Sequence, residues 1–302
     1  MWFWFSLIAL ICWSGSDLFS KIGCQDADDK YSHLKMVMAV GLVMGLHAAY
    51  EIFINGTEIN VSIILTYLPV SLLYISSMTI GYIGLRYIEL SISSPICNSS
   101  GALVAVLALA TGGLGELVPA QLAATALVCV GVIGLGIVEA REDDDLRAAR
   151  QQASNHRYAK SALALILPVI YCLLDALGTF ADSRVLETLN EDSANCAYEL
   201  TFLLAGIVCF VYVVLIKKSR LVPKREGPKY AGAVCETAGQ FAYIYALADT
   251  EHVALAAPII SAYCVASVLW SRIFLKEKLS WKHYAMIALV VAGIVILGVY
   301  DA

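Results

Sequence analysis

The chain has 302 residues, of which 60% are apolar and 15% charged, and its mean hydropathy is +0.75. Soluble domains contain roughly 45–50% apolar and about 25% charged residues. The composition therefore excludes a soluble globular domain and a disordered chain. The net charge of −5 also argues against a nucleic-acid partner. A protein embedded in a lipid bilayer is the class that remains.

Ten apolar stretches are long enough to cross a bilayer as helices, which takes about 20 residues each. They are continuous apolar runs, the pattern typical of membrane helices. We therefore predict an all-α membrane protein with ten transmembrane helices. The predicted spans are 2–22, 33–54, 61–85, 90–112, 119–140, 160–180, 194–216, 229–248, 252–271 and 281–300.

A polar stretch at 141–159 divides the chain into two halves, 1–140 and 160–302, with five predicted spans each. The halves share a tract that ends in proline and isoleucine, SISSPI at 91–96 and ALAAPI at 254–259. A glutamate follows each tract, Glu116 in the first half and Glu277 in the second. Since five is odd, tandem copies insert with opposite orientations. We therefore predict two inverted five-helix repeats, an architecture of many secondary transporters.

The basic residues support this count. With ten spans, every lysine and arginine except Arg184 falls on the side opposite the N-terminus. Cytoplasmic loops carry an excess of basic residues. We predict a multi-pass protein of the plasma (inner) membrane with both termini outside the cytoplasm.

Three features together resemble the EamA-type members of the drug/metabolite transporter superfamily. They are the tracts LRYIELSISSPI and ADTEHVALAAPI, the two glutamates Glu116 and Glu277, and Trp-Ser-Gly-Ser at 13–16 followed by Lys21. The resemblance covers essentially the whole chain. It implies a central polar cavity, alternating access and carriage of a small organic metabolite. Family members are usually drawn with both termini in the cytoplasm, so the charge distribution predicts the reverse orientation here.

Three carboxylic acids stand out inside predicted spans, Asp17, Asp175 and Glu236. Such residues are costly in lipid and mark functional sites. Trp13 precedes Asp17 by four residues, and Tyr171 precedes Asp175 by four, so each ring shares a helix face with its acid. A ring beside a carboxylate suits a cation. Alternatively, the aspartates bond to neighbouring side chains and lock helices, or one of the three acids carries a coupling proton.

Other predicted ligands of the substrate are polar or aromatic residues deep in their spans. Gln240 and Tyr243 follow Glu236 on its helix, and Asn98 and Tyr263 follow the two proline tracts. The complete predicted substrate site is Trp13, Asp17, Tyr74, Asn98, Tyr171, Asp175, Glu236, Gln240, Tyr243 and Tyr263, with Asp17, Asp175 and Glu236 as candidates for proton coupling.

Several further residues are assigned structural roles. Gly41 and Gly45 form a G-x-x-x-G pattern, which predicts close helix packing. Glu199 and His33 are expected to be solvated near the membrane interface. Glu116 and Glu277 are expected to position helices outside the site. Nine cysteines without C-x-x-C spacing indicate free, buried thiols, and no metal or cofactor site is predicted.

The predicted function is secondary transport of a small organic metabolite, an amine or other cation, an amino acid or a similar compound, driven by a proton or substrate gradient. The alternatives are a non-transporting sensor and a membrane-embedded enzyme. The enzyme is disfavoured because H-E-x-x-H, G-x-S-x-G and phosphate-loop motifs are missing from the sequence. Few buried lysines or arginines are expected, which disfavours phosphates and nucleotide sugars. The predicted partners are the substrate and the bilayer, in a monomer or a dimer.

The orientation can be tested with reporters joined to Ala302. Alkaline phosphatase is expected to be active there and green fluorescent protein dark, because the basic loops hold the opposite side in the cytoplasm. Fluorescence together with an inactive phosphatase would reverse the predicted orientation.

Overall fold

The computed structural model describes residues 1–26, 28–111, 119–141, 162–276 and 279–301. Within these ranges the chain is almost entirely helical and contains no strand. The helices are α1 (Trp2–Cys24), α2 (Ser32–Tyr50), α3 (Val61–Tyr87), α4 (Leu90–Asn98), α5 (Ser100–Ala110), α6 (Pro119–Ala140), α7 (Ala162–Val185), α8 (Glu191–Phe210), α9 (Pro223–Ala248), α10 (Val253–Ser261), α11 (Tyr263–Phe274) and α12 (Trp281–Asp301). The π-helical turns Glu51–Asn55 and Val211–Ile216 extend α2 and α8, and the 3₁₀ turn Thr250–His252 precedes α10.

Eight helical stretches in the described ranges are long and apolar enough to cross a membrane. They are Trp2–Cys24, Ser32–Asn55, Val61–Tyr87, Leu90–Ala110, Pro119–Val138, Ile166–Val185, Glu191–Ile216 and Thr250–Phe274. The two remaining predicted spans are also helical. In α12 the apolar part, Trp281–Leu297, is shorter, and α9 is more polar. The prediction of an all-helical membrane protein is confirmed, and the number of ten transmembrane helices stays a prediction.

The two proline tracts fold in the same way. Pro95 and Pro258 each occupy the sixth position of a nine-residue helix, α4 or α10. The helix then breaks at a single residue, Ser99 or Ala262, and a second helix continues from it. Proline removes one backbone donor and disturbs the turn before it.

Four long helix pairs form the body of the molecule. α1 packs along α9, α3 along α7, α2 along α8 and α6 along α12. Gly41 lies so close to α8 that an added Cβ would be 2.6 Å from the Phe202 carbonyl oxygen. A Cβ on Gly45 would be 2.8 Å from Leu203. The predicted close packing at these two glycines is confirmed.

Three lysines close to the ends of predicted spans lie inside helices and are buried. Lys21, Lys35 and Lys229 are 0%, 4% and 1% exposed. The Lys21 ammonium donates to the carbonyls of Leu85 at 2.7 Å and Ile88 at 2.6 Å. These carbonyls lie at the C-terminal end of α3, where a positive charge is favourable.

The other two buried lysines are neutralised by carboxylates. Lys35 pairs with Asp29 at 2.9 Å, and Lys229 pairs with Glu226 at 3.1 Å. Helix ends thus supply the carbonyls and acids that these three buried lysines bind. All nine cysteines are free thiols; five of them are buried, as predicted, and four are only partly buried.

Some sequence predictions fall outside the described residues. Glu116 and Glu277 lie there, as does the linker 141–159 except for Arg141.

Substitution of Gly41 by alanine is expected to lower the free energy of unfolding by about 1–3 kcal/mol, because its methyl group would overlap the backbone of α8. Thermal unfolding of the detergent-solubilised protein measures this change. Gly227→Ala is the control, since a Cβ there meets nothing within 4 Å. Equal melting temperatures of the two variants would contradict the close approach of α2 and α8.

Candidate functional site

A central cavity lies among α1, α3, α4, α5, α7, α8, α9, α10 and α11. Its volume, including the open mouth, is about 920 Å³. The structure brings all ten residues of the predicted substrate site to the wall of this cavity, although they come from widely separated parts of the sequence. They are Trp13, Asp17, Tyr74, Asn98, Tyr171, Asp175, Glu236, Gln240, Tyr243 and Tyr263.

The Asp17 carboxylate on α1 is held by hydroxyl groups of two other helices. Its Oδ2 atom accepts from Ser94 on α4 at 2.5 Å and from Ser267 on α11 at 2.7 Å. Asn98 donates to the Ser94 carbonyl and hydroxyl, one turn further along α4. These hydrogen bonds join α1 to α4 and α11, as the helix-locking alternative predicts. The side chain also lies on the cavity wall, so the two interpretations are compatible.

The other two carboxylates are arranged in the same way. Asp175 on α7 accepts from Ser100 at the start of α5 at 2.7 Å. Glu236 on α9 accepts from Ser16 on α1 at 2.7 Å. In each case a serine of a different helix donates to one carboxylate oxygen. The acids are therefore fixed in orientation by neutral donors.

The charges of this cavity are all of one sign. Glu236 interacts electrostatically with both Asp17 and Asp175. No lysine, arginine or histidine occurs among the described residues that line the cavity. Charges interact strongly in surroundings of low dielectric constant. This arrangement attracts cations or binds protons.

Aromatic rings form one wall beside these acids. The Trp13 ring lies 4.9 Å from the Tyr243 ring and 5.8 Å from the Tyr263 ring, measured between centroids. Its Nε1 atom donates to the Glu236 carbonyl at 3.4 Å. A Cβ on Gly239 would be 2.4 Å from Trp13, so this glycine is what admits the indole against α9.

Three polar atoms of lining residues have no hydrogen-bond partner within the described part of the chain. They are Nε2 of Gln240 and the hydroxyl oxygens of Ser20 and Tyr82. All three residues are more than nine-tenths buried. A buried polar group without a partner is costly. These atoms are available to a bound solute or to water.

Sequence reasoning missed Asp182, which is fully buried on α7. Its Oδ1 atom accepts from the Tyr67 hydroxyl at 2.7 Å, and its Oδ2 atom lies 3.5 Å from the Tyr74 hydroxyl. Asp182 follows Asp175 by seven residues, two helical turns on the same face. That spacing is the signal that could have identified it.

The expectation for Glu199 is wrong. The side chain is 0% exposed, and both of its oxygens lie within 3.0 Å of Nδ1 of His47. Glu199 is the ninth residue of α8, because this helix begins at Glu191 rather than at the predicted position 194. The partner on α2 cannot be inferred from the sequence around Glu199. His33, which was also expected to be solvated, is partly buried.

Comparison with known proteins gives a family match over the second half of the chain and a similar fold. Residues 162–299 match the model of the EamA-like transporter family. This match confirms the resemblance to EamA-type transporters over those residues. No curated protein matches the chain. A solved structure described as "Crystal structure of protein" is 14% identical with a TM-score of 0.63, covering 98% of this chain and 96% of the other, and it shows the fold alone.

Substitution of His47 by leucine is expected to destabilise the protein by about 3 kcal/mol, because the Glu199 carboxylate would lose its nearest partner in a buried position. The double variant His47→Leu/Glu199→Leu is expected to recover most of this loss. Thermal unfolding in detergent measures both. The control is Glu187→Leu, which removes an exposed pair with Arg184 and is expected to cost less than about 1 kcal/mol. A double variant as unstable as His47→Leu would refute the coupling.

Proposed function

We propose that this chain, whose second half matches the EamA-like transporter family, is a secondary transporter that carries a small organic cation through the membrane. The family match supports a membrane transporter of small molecules. The observation that carries the choice of a cation is the cavity itself. Three carboxyl groups and a wall of aromatic rings line it, and no basic side chain occurs among its described lining residues.

The electrostatics of the cavity favour a positively charged solute. A carboxylate removed from water without a cationic partner is costly, and hydroxyl donors compensate only part of that cost. Asp17 accepts two such hydrogen bonds, from Ser94 and Ser267. Asp175 and Glu236 accept one each, from Ser100 and Ser16. A bound amine or quaternary ammonium ion would supply the missing charge. The Trp13, Tyr243 and Tyr263 rings add cation–π attraction.

The cavity disfavours organic anions for the same reason. The buried lysines Lys21, Lys35 and Lys229 do not line it, and each already binds carbonyl or carboxylate oxygens. A phosphate or sugar nucleotide would therefore meet three acids and no compensating base among the described lining residues. Amino acids remain compatible, because their ammonium group can face the acids and Gln240 offers a donor to a carboxylate.

We propose alternating access between two inverted repeats as the transport mechanism. The similarity of α4 with α10, each a nine-residue helix with proline at position six followed by a break, supports a repeated unit. The helix pairs α1–α9 and α3–α7 both lie on the cavity, and each joins a helix of the first half to a helix of the second half. Movement of one half against the other would therefore change the cavity's access to either side.

A gradient has to drive any uphill transport in this mechanism. Asp17, Asp175 and Glu236 are the candidate carriers of a coupling proton, since a carboxyl group in the cavity can hold either a proton or the cationic solute. Exchange against a second molecule of substrate is the other source of energy. Both use the same three acids.

The first test is a thermal-shift panel on purified protein with tetramethylammonium, benzyltrimethylammonium, amino acids, nucleobases and organic anions, at acidic and neutral pH. Ammonium ions are expected to raise the melting temperature, with about 2.7 kcal/mol of stabilisation at a hundredfold excess over Kd. Asp17→Asn and Glu236→Gln are expected to raise the Kd of the ammonium ions at least tenfold. Glu187→Gln, an exposed acid away from the cavity, is the control.

Liposome flux separates transport from sensing. The wild-type protein is expected to move the ammonium ion that stabilises it, and Asp17→Asn and Glu236→Gln are expected to move it more slowly. Tight binding without flux would identify a sensor instead. Stabilisation by anions alone would refute the proposed substrate class.

A further inference from the structure

Asp182 lies behind the cavity wall rather than on it. The residue is 0% exposed on α7 and does not line the cavity. Tyr67 on α3, also fully buried and outside the cavity, donates to its Oδ1 atom at 2.7 Å. This pair therefore cannot touch a solute in the cavity, and any effect on binding has to pass through other residues.

Two tyrosines that line the cavity, Tyr74 and Tyr243 of the aromatic wall, connect to this pair. The Tyr74 hydroxyl lies 3.5 Å from Oδ2 of Asp182 and donates to the Thr179 hydroxyl at 3.1 Å. Tyr74 also contacts Tyr243 through its hydroxyl group. The Asp182 carboxylate on α7 is thus connected to two tyrosines of α3 directly and, through Tyr74, to Tyr243 on α9. Tyr74, Tyr243 and Thr179 all line the cavity.

The connection continues to the acid on α1. The Tyr243 ring packs on the Trp13 ring at 4.9 Å, and Trp13 precedes Asp17 by four residues on the same face of α1. A continuous set of contacts therefore runs from Asp182 through Tyr74 and Tyr243 to Trp13. A shift at its buried end would move the rings that a cation would contact.

Asp182 is fully buried, and burying a carboxylate costs more free energy than burying a neutral side chain. No basic side chain forms an ion pair with it in the part of the chain that the structure describes. Its compensation comes from tyrosine hydroxyls, and hydrogen bonds to a charged acceptor are stronger and more directional than neutral ones. This is the arrangement expected of a group that fixes the orientation of rings.

We propose that Asp182 is a positioning residue, which through Tyr74 and Tyr243 sets the aromatic wall and thereby the preference of the cavity for aromatic over aliphatic cations. The inference rests on the proposed function. A purely structural Asp182 would lower stability and weaken all ligands alike. A positioning residue changes the relative affinities of ligands that differ in their contact with the wall.

The key variant is Tyr67→Phe, which removes the shortest hydrogen bond of Asp182 and substitutes no residue that lines the cavity. Asp182→Asn is the second variant, and it keeps the shape of the side chain without its charge. Tyr245→Phe is the matched control, because the Tyr245 hydroxyl contacts Asp192 on α8 outside the cavity. All three are made in the full chain.

The first measurement uses no ligand. The protein is labelled with 5-fluorotryptophan, and the fluorine resonance of Trp13 is assigned by its loss in Trp13→Phe. Tyr67→Phe and Asp182→Asn are expected to shift this resonance and leave those of the other four tryptophans in place. Tyr245→Phe is expected to leave all five unchanged. A Trp13 resonance that does not move in either variant overturns the inference.

The second measurement compares the Kd of benzyltrimethylammonium with that of tetramethylammonium. Tyr67→Phe is expected to change the ratio of the two constants about fivefold, the equivalent of one hydrogen bond, and Tyr245→Phe to leave it unchanged. Equal weakening of both ligands shows a structural role and overturns the inference. If the wild-type protein binds neither ion, the proposed function fails, and the Trp13 resonance alone decides the positioning role.

Discussion

The absence of water from the bilayer core constrains every other feature of this molecule. Polar groups there have to find partners within the protein, and the central carboxylates find them across helix boundaries. Asp17, Asp175 and Glu236 each take a hydroxyl donor from a helix other than their own. The same hydrogen bonds therefore assemble the bundle and define its cavity. A helix that moved would take a donor or an acid with it.

Compensation of charge is unequal along the bundle. At the helix ends, Lys35 and Lys229 have carboxylate partners and Lys21 binds two carbonyl oxygens. In the centre, the acids have only neutral donors among the described residues. A structural ion pair is complete by itself, whereas an acid held by hydroxyl groups can still accept a cation. The lack of a cationic partner therefore identifies the central acids as the candidate site, which the number of buried charges alone does not do.

The sequence was informative about charges in the middle of apolar stretches, since such residues are rare there and stand out singly. Asp17, Asp175 and Glu236 were found in that way, and the structure places them on one cavity. Asp182 was missed because it lies near the end of its span, where an acid is expected to be solvated. Glu199 was misjudged for the same reason, since its burial depends on His47, a residue of another helix. Pairing between helices leaves no trace in the local pattern of a single sequence.

Glycine contacts link the cavity to the helix interfaces that flank it. Trp13 lies on Gly239, Tyr171 on Gly81 and Tyr74 on Gly178, each with an aromatic ring against the backbone of the opposing helix. A ring on a glycine has no side chain to interlock with, so its position is set by the distance between the two helix backbones. Displacement of α9 against α1, or of α7 against α3, would therefore move the aromatic wall directly. The surfaces that would slide during alternating access are the surfaces that shape the cavity, and this is how helix movement and cation affinity would be coupled.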